Sequence, residues 1–185
     1  MLLNDIEIAQ YVHKYRMISP FTSEKVKIYG PSYGLSSAGY DCSLDGEYWL
    51  PKPSADIVDL KTITKDEMLE LFDKSRGPAF TLLPGMFVLL VTKEWFRIPR
   101  TIKGKCMGKS TLRRVGMISD ITPLEPGWEG RLVLELNFTF PRPVRIHEGM
   151  GLCQVEFETI NEPRKDYAAG GGKYQGQIGI TPGHI

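Results

Sequence analysis

The chain has 185 residues, 42% hydrophobic and 24% charged, with 23 Lys plus Arg against 22 Asp plus Glu for a net charge of +1. That composition excludes disordered, collagen-like and low-complexity chains, and the near-neutral balance excludes a global field able to hold DNA or RNA by counterion release. Any anion must be bound locally. At this length one core can bury roughly 70% of the unfolded surface, so a single domain over residues 1–185 needs neither disulfides nor a structural metal. No apolar run approaches the ~18 residues of a membrane span, and Cys42, Cys106 and Cys153 form no CxxC pair. A soluble, cytoplasmic chain with buried thiols and no membrane contact is expected.

Asn4 followed three residues later by Glu7 has the form of a capping box, and Ile6, Ala9, Val12 and His13 recur at helical spacing, so a first helix runs to about Tyr15. Thr64 and Glu67 repeat the signature. A second helix should continue through Met68, Leu71 and Phe72 until Gly77-Pro78 stops it. Elsewhere 19 Gly and 13 Pro break the chain into short runs. Strands are predicted over 87–92, 116–121, 131–138, 144–146 and 152–157. Without a parallel βαβ alternation the expected fold is mainly β, a jelly roll or distorted β-barrel with a few peripheral helices. Residues 168–185, with Gly170-Gly171-Gly172 and little apolar content, read as a mobile tail.

Four polar constellations stand out. Gly108-Lys109-Ser110-Thr111-Leu112-Arg113-Arg114 offers three cations, two hydroxyls and backbone amides, a set suited to a phosphate chain or to a solvated surface loop. It is not a Walker A loop, because Lys103 stands where the first glycine belongs. In the strand 131–138, a side-chain period of two puts Leu132, Leu134, Leu136 and Phe138 on one face and Arg131, Val133, Glu135 and Asn137 on the other. Glu135 is then either solvated or set in a pocket where it can shuttle protons. Leu124-Glu125-Pro126-Gly127-Trp128 demands a tight turn with Trp128 at its exit. In the tail, Lys173, Tyr174, Gln175 and Gln177 alternate with glycines, either as a disordered end or as a closing segment. His13, His147 and His184 pair with no cysteine at ligand spacing, so a zinc site of the HxE and PCxxC kind is not expected. The absence of GxSxG argues against a covalent serine mechanism.

GKSTLRRVGM at 108–117, ITPLEPGWEGRLVLELNF at 121–138, EGMGLCQVEF at 148–157 and GKYQGQIGIT at 172–181 together resemble the dCTP deaminase family, as does YGLSSAGYD at 33–41. The match is broken between about 42 and 100. The resemblance implies the fold of the trimeric dUTPases and hydrolysis of dCTP to dUTP and ammonia. It implies that Glu135 is general base and proton shuttle, with Ser110 and Arg114 as the other catalytic residues. It further implies substrate binding by Lys109, Thr111, Leu112, Arg113, Thr122, Glu125, Trp128, Val133, Leu134, Gln154, Tyr167, Lys173, Tyr174 and Gln177. Within that set, Glu125 would contact the sugar 3′-hydroxyl, Gln154 the phosphates, and Tyr167 to Gln177 the closing tail. It also implies a homotrimer with sites between subunits, dTTP as feedback inhibitor, and Mg2+ carried by the triphosphate without protein ligands. The alternatives are a bifunctional enzyme that goes on to dUMP and pyrophosphate, with Glu125 positioning the water, a plain dUTPase, or a silent nucleotide sensor. Three departures from the family pattern stand here: Glu125 where much of the family has Asp, the uncharged stretch 168–172, and the extra cation Arg113.

Overall fold

A computed structural model describes residues 1–28, 30–120 and 122–184. Helix α1 (Asp5–Tyr15) starts where expected. Asn4 Oδ1 accepts from the Glu7 amide and Glu7 Oε2 from the Asn4 amide, both at 2.9 Å. Two of the four orphan donors at the helix start are thereby satisfied. The chain then forms β1 (Ile18–Ser19), β2 (Gly34–Ser36), β3 (Gly39–Pro51), α2 (Lys65–Glu70), β4 (Phe72–Arg76) and β5 (Ala79–Leu82). It continues through β6 (Phe87–Arg97), β7 (Ile102–Gly108), α3 (Ser110–Arg113), β8 (Met117–Ser119) and β9 (Thr122–Leu124). The last elements are β10 (Glu129–Phe138), β11 (Val144–His147) and β12 (Gly151–Thr159).

The main sheet runs β8-β10-β6-β3-β12-β7-β9, all antiparallel, with β1, β2 and β4 attached to β6 and β3. Its end strands β8 and β9 are adjacent in sequence: only residues 120 and 121 separate Ser119 from Thr122. Three extended residues span at most ~11 Å, so the sheet must curl until its two edges meet. The result is the expected barrel-like β fold. The pair β5–β11 covers one side as a separate ribbon.

Inside the curl lies the main core. Leu132, Leu134, Leu136 and Phe138 of β10 pack with Val88 and Leu90 of β6, Tyr40, Cys42 and Leu44 of β3, and Val155 and Phe157 of β12. Ile8 of α1 joins from outside the sheet. A second, smaller core lies on the outer face, where Leu89 and Val91 meet Trp49 and Ile180, flanked by Leu69, Phe72, Phe87 and Val133. Alternate residues of β6 and β10 therefore feed two different cores.

Several elements differ from the sequence expectation. Helix α2 has its Thr64–Glu67 capping box but ends at Glu70, not at Gly77-Pro78. Phe72 to Arg76 instead pair with Pro51 to Glu47, because the edge of β3 needs a hydrogen-bonding partner. The strand expected over 116–121 is only Met117–Ser119, and Ile121 lies outside the described residues. Strand β6 runs to Arg97 rather than 92, and β10 begins at Glu129. The 13-residue β3 and the 7-residue β7 carry no clear sequence signal. In β3 nearly every position is buried, polar ones included, so the usual alternation is lost. Asp41, Ser43 and Asp45 alternate there with the core residues Tyr40, Cys42 and Leu44. Each has a charged partner: Asp41 takes Lys25 and Lys109, and Asp45 takes Arg76 and Arg131. The Ser43 backbone N–H and hydroxyl both donate to the buried Glu94 carboxylate at 2.8–3.1 Å.

The three cysteines are buried and free, as expected. Burial holds the Cys42 thiol well above its ordinary value. Burial also raises Glu94 from 4.5 to about 7, against the opposing pull of the Ser43 hydrogen bonds, with Cys153 as a further raising neighbour. Between those two values the folded chain keeps a proton that the unfolded chain has released, so stability falls as pH rises from about 4.5 to about 7 and levels off above. The Glu94 contribution to this loss is on the order of 3 kcal/mol. Urea unfolding of wild type and Glu94→Gln at pH 5 and pH 8 checks it: the fall in midpoint between the two pH values should be markedly smaller in the variant. An equal fall in both would refute the assignment.

Candidate active site

A cavity of about 340 Å³ opens on the outer face of the sheet, a volume in the usual range for small-ligand sites. Its floor is the outer face of β10 and β6, with Val133, Glu135, Phe87 and Leu89. Thr122, Pro123 and Glu125 form one wall with Trp128, and Phe72 closes the side nearest α2. The roof is the C-terminal segment, through Tyr167, Tyr174, Gln177, Thr181 and Gly183.

Each wall follows from local chemistry. Because Leu132, Leu134, Leu136 and Phe138 are buried in the main core, Val133 and Glu135 must point out of the barrel, and Glu135 remains exposed at the cavity floor. The β10–β6 pairing shifts register between Arg131 and Val133, and the Leu132 amide released there donates to Thr92 Oγ1 at 3.1 Å. Such a bulge bends the strand beside the cavity. Glu125-Pro126-Gly127-Trp128 makes the tight turn foreseen from sequence: the Trp128 amide donates to Glu125 O at 3.0 Å, and Gly127 has φ +80°. The third residue of this turn must take the left-handed region, which is why it is glycine. Trp128 is buried against Phe96, and its indole N–H donates to Tyr174 O at 2.9 Å. Lys103 approaches the Glu125 carboxylate at 3.6 Å.

The C-terminal segment, expected as a tail without a fixed place, lies docked along 126–131. The Tyr167 amide donates to Pro126 O, the Gly176 amide to Glu129 O and the Arg131 amide to Gln177 O, at 2.8–2.9 Å. Gln177 is buried, and its amide nitrogen donates to Arg131 O while its oxygen accepts from Thr181. Arg100 holds the approach through Glu162, Asp166 and the Pro163 carbonyl. Ile180, 5% exposed in the outer core, and Tyr167, packed on the main core, anchor a segment whose sequence is otherwise largely polar and glycine-rich.

Of the residues expected from sequence, Thr122, Glu125, Trp128, Val133, Glu135, Tyr167, Tyr174 and Gln177 line this one cavity. The rest do not. Lys109, Ser110, Thr111, Arg113 and Arg114 lie on or beside α3, away from the cavity wall of the same chain. Ser110, Thr111, Arg113 and Arg114 are exposed, and neither arginine makes an ion pair among the described residues. Lys109 is different: its ammonium sits 2.6 Å from Asp41 with only 10% of the side chain exposed. The side chains of Leu112 and Leu134 are in the main core, which leaves only their backbone for a ligand. Gln154 pairs across the sheet with Asp41 and donates to Ser36 Oγ at 3.3 Å. Lys173 is exposed and donates to the His184 carbonyl at 2.8 Å. The other lining residues, Phe72, Phe87, Leu89, Pro123, Leu132, Thr181 and Gly183, are not among those expected from sequence. Phe87 and Leu89 were legible as strand, but which of two cores each faces was not.

Among the described residues no group of three or more His, Cys, Asp or Glu is placed to hold a metal ion. No described helix is long and apolar enough to cross a membrane.

Residues 2–160 match the family model described as dCTP deaminase-like. The chain is 37% identical over 182 residues to the dCTP deaminase of Granulibacter bethesdensis, covering 97% of each. It is 38% identical over 182 residues to that of Anaplasma phagocytophilum, covering 97% of this chain and 96% of the relative. In fold it superposes on the crystal structure of 2′-deoxycytidine 5′-triphosphate deaminase from Agrobacterium tumefaciens with a TM-score of 0.62 at 17% identity. That superposition covers 86% of this chain and 48% of the other, about half its length.

Gly172 packs on the Tyr167 ring, whose hydroxyl accepts from the Tyr174 amide at 3.0 Å, so any side chain at 172 must displace the ring. Gly172→Ala should therefore loosen the roof and speed tryptic cleavage after Lys173, with the urea midpoint of the barrel unchanged. Cleavage at the wild-type rate would show that the roof does not depend on this contact.

Proposed function

The chain belongs to the dCTP deaminase-like family, and from that premise we propose that it hydrolyses dCTP to dUTP and ammonia. The observation that carries the proposal is Glu135: an acid projecting from a strand paired on one side with β6 and, just beyond it, with β8, into a cavity whose other walls are mostly apolar or aromatic. In this reading the cytosine ring lies on Val133 and Leu89. The Glu135 carboxylate takes a proton from water as the water oxygen bonds to ring carbon C4. As that bond forms, the C4–N3 π pair moves to N3, which takes up the proton from Glu135; the carboxylate then carries the new hydroxyl's proton to the amino group, the C4–N bond breaks as C4=O forms, and ammonia leaves uracil behind. Pro123 and Trp128 keep bulk water from the ring, and Glu125, steadied by Lys103, faces the sugar.

The triphosphate needs cations, and the cavity wall contains neither lysine nor arginine. Exposed Ser110, Thr111, Arg113 and Arg114 supply donors and positive charge on another part of the surface. A homotrimer in which α3 of one subunit borders the cavity of the next brings these halves together and gives Ser110 and Arg114 their catalytic place. Mg2+ arrives as part of the substrate, on the triphosphate oxygens. dTTP, with the same sugar and triphosphate, competes at this site as feedback inhibitor. The roof segment 168–184 opens for exchange and closes on the nucleotide.

Glu135→Gln should lower the rate of ammonia release from dCTP by about 10²-fold or more, with dCTP affinity and unfolding midpoint near wild type. A variant that keeps most of its turnover would remove Glu135 from the mechanism. Separating the wild-type products decides the outcome of the reaction: dUTP is expected, and dUMP with pyrophosphate would mark a second, phosphate-cleaving activity.

A further inference from the structure

We propose that Lys25 is a further binding residue of this site, contributing an ammonium to the oligophosphate of the nucleotide from a position fixed by Asp41. The proposal rests on the deaminase reading for the identity of the nucleotide, but not for the anion site itself.

Asp41 is buried to 1% exposure, and a single oxygen, Oδ2, stands 2.6 Å from Lys109 Nζ and 2.9 Å from Lys25 Nζ. A buried carboxylate needs one cation to be neutralised. Here it has two, and they differ in character. Lys109 is 10% exposed and immediately precedes α3, so its pairing ties the cationic loop to β3. The α3 start has no side-chain cap of its own, so this ion pair anchors it together with Leu112 in the main core. The Lys25 side chain is 37% exposed, and it leaves the pair with a surplus positive charge. Two ammonium groups sharing one oxygen repel each other, and an incoming anion relieves that repulsion.

The position of Lys25 is built rather than accidental. Gly34 is the cross-strand partner of Asp41, has φ +100°, and lies so close to the Glu24 carbonyl that no side chain fits there. Residues 22–26 are strapped to 33–35 by hydrogen bonds from Leu35 N to Thr22 O at 3.0 Å, Val26 N to Tyr33 O at 2.9 Å and Tyr33 N to Val26 O at 3.2 Å. The backbone beside Lys25 is therefore preorganised, which reduces the entropy lost when its side chain closes on a ligand. On the other side of Asp41 lies Gln154, its partner on β12, with the side-chain amide directed at Ser36. Asp41 thus ties Lys25, Gln154 and the residue that opens α3 to one strand position, and the ligand that matches a surplus ammonium beside the cationic α3 loop is a chain of phosphates.

Isothermal titration with inorganic tripolyphosphate tests the site without any turnover. Wild type should bind it, Lys25→Met should bind about tenfold or more weakly, and Lys25→Arg should recover most of the affinity. With dCTP, Lys25→Met should raise KM by a similar factor while kcat stays within about twofold, the split of a pure binding contact. Lys25 is exposed and both variants should unfold at the wild-type midpoint. Wild type that fails to bind tripolyphosphate, or Lys25→Met that binds it as tightly as wild type, overturns the proposal. If Lys25→Met weakens tripolyphosphate binding but wild type releases no ammonia from dCTP, the anion site stands and the deaminase reading falls.

Discussion

The arrangement depends on the two-sided burial of strand β10. Four large apolar side chains on one face of ten residues are committed to the barrel core, each worth roughly 1.5–3 kcal/mol of transfer free energy, and no other register keeps them there. With that face fixed, Glu135 cannot turn inward, and the outer face must carry it. The carboxylate is held by a strand paired with β6 and, just beyond it, with β8, so its backbone has little freedom to drift. The proton transfer proposed for Glu135 needs placement of this kind, since misplacement by about an ångström can cost orders of magnitude in rate.

The outer face is also where the fold places its weaker structure. Trp49, Leu89, Val91 and Ile180 form a core of four fully buried side chains, small beside the one inside the barrel. The roof over the cavity therefore hangs on Ile180, on Tyr167 packed against the main core, on the Gln177 and main-chain hydrogen bonds and on the Tyr174–Trp128 contact. Such an element opens locally at far lower cost than the barrel unfolds. Helix α2 contributes through Leu69, and Phe72 just beyond it reaches both this core and the cavity wall, so the excursion between β3 and β4 supports the roof.

Polar burial in β3 provides the third constraint. Asp41, Ser43 and Asp45 lie along one strand, and their partners come from the N-terminal segment, β4, β6, β10 and the start of α3. Buried charges are costly unless paired, so these contacts specify which segments may cover the sheet. The same carboxylate that orders Lys109 leaves Lys25 facing solvent, and structural pairing and anion binding thereby meet at one oxygen.

Local rules made much of this legible in advance: the capping boxes at Asn4–Glu7 and Thr64–Glu67, the Pro-Gly turn before Trp128, and the alternation in 131–138 each depend on residues within a few positions. The motifs at 108–117, 121–138, 148–157 and 172–181 carried the family. The long strand β3 was not legible, because burial on both faces erases alternation and its aspartates and glycine read as turn. Nor was the end of α2, where helix-compatible Leu71 and Phe72 obey a strand partner instead. The face that Glu135 occupies was left open between solvent and pocket, since a period of two separates faces without saying what covers them. The amino-acid order by itself determined element types, turn chemistry and the division of each strand into two faces, because these are set by torsion preferences and short-range hydrogen bonds. Only the tertiary structure decided that the outer face is roofed by the C-terminal segment and that Lys109 meets Asp41 from a largely buried position while Lys25 meets the same oxygen from an exposed one, because those outcomes depend on which distant segments compete for the same buried surface and the same carboxylate.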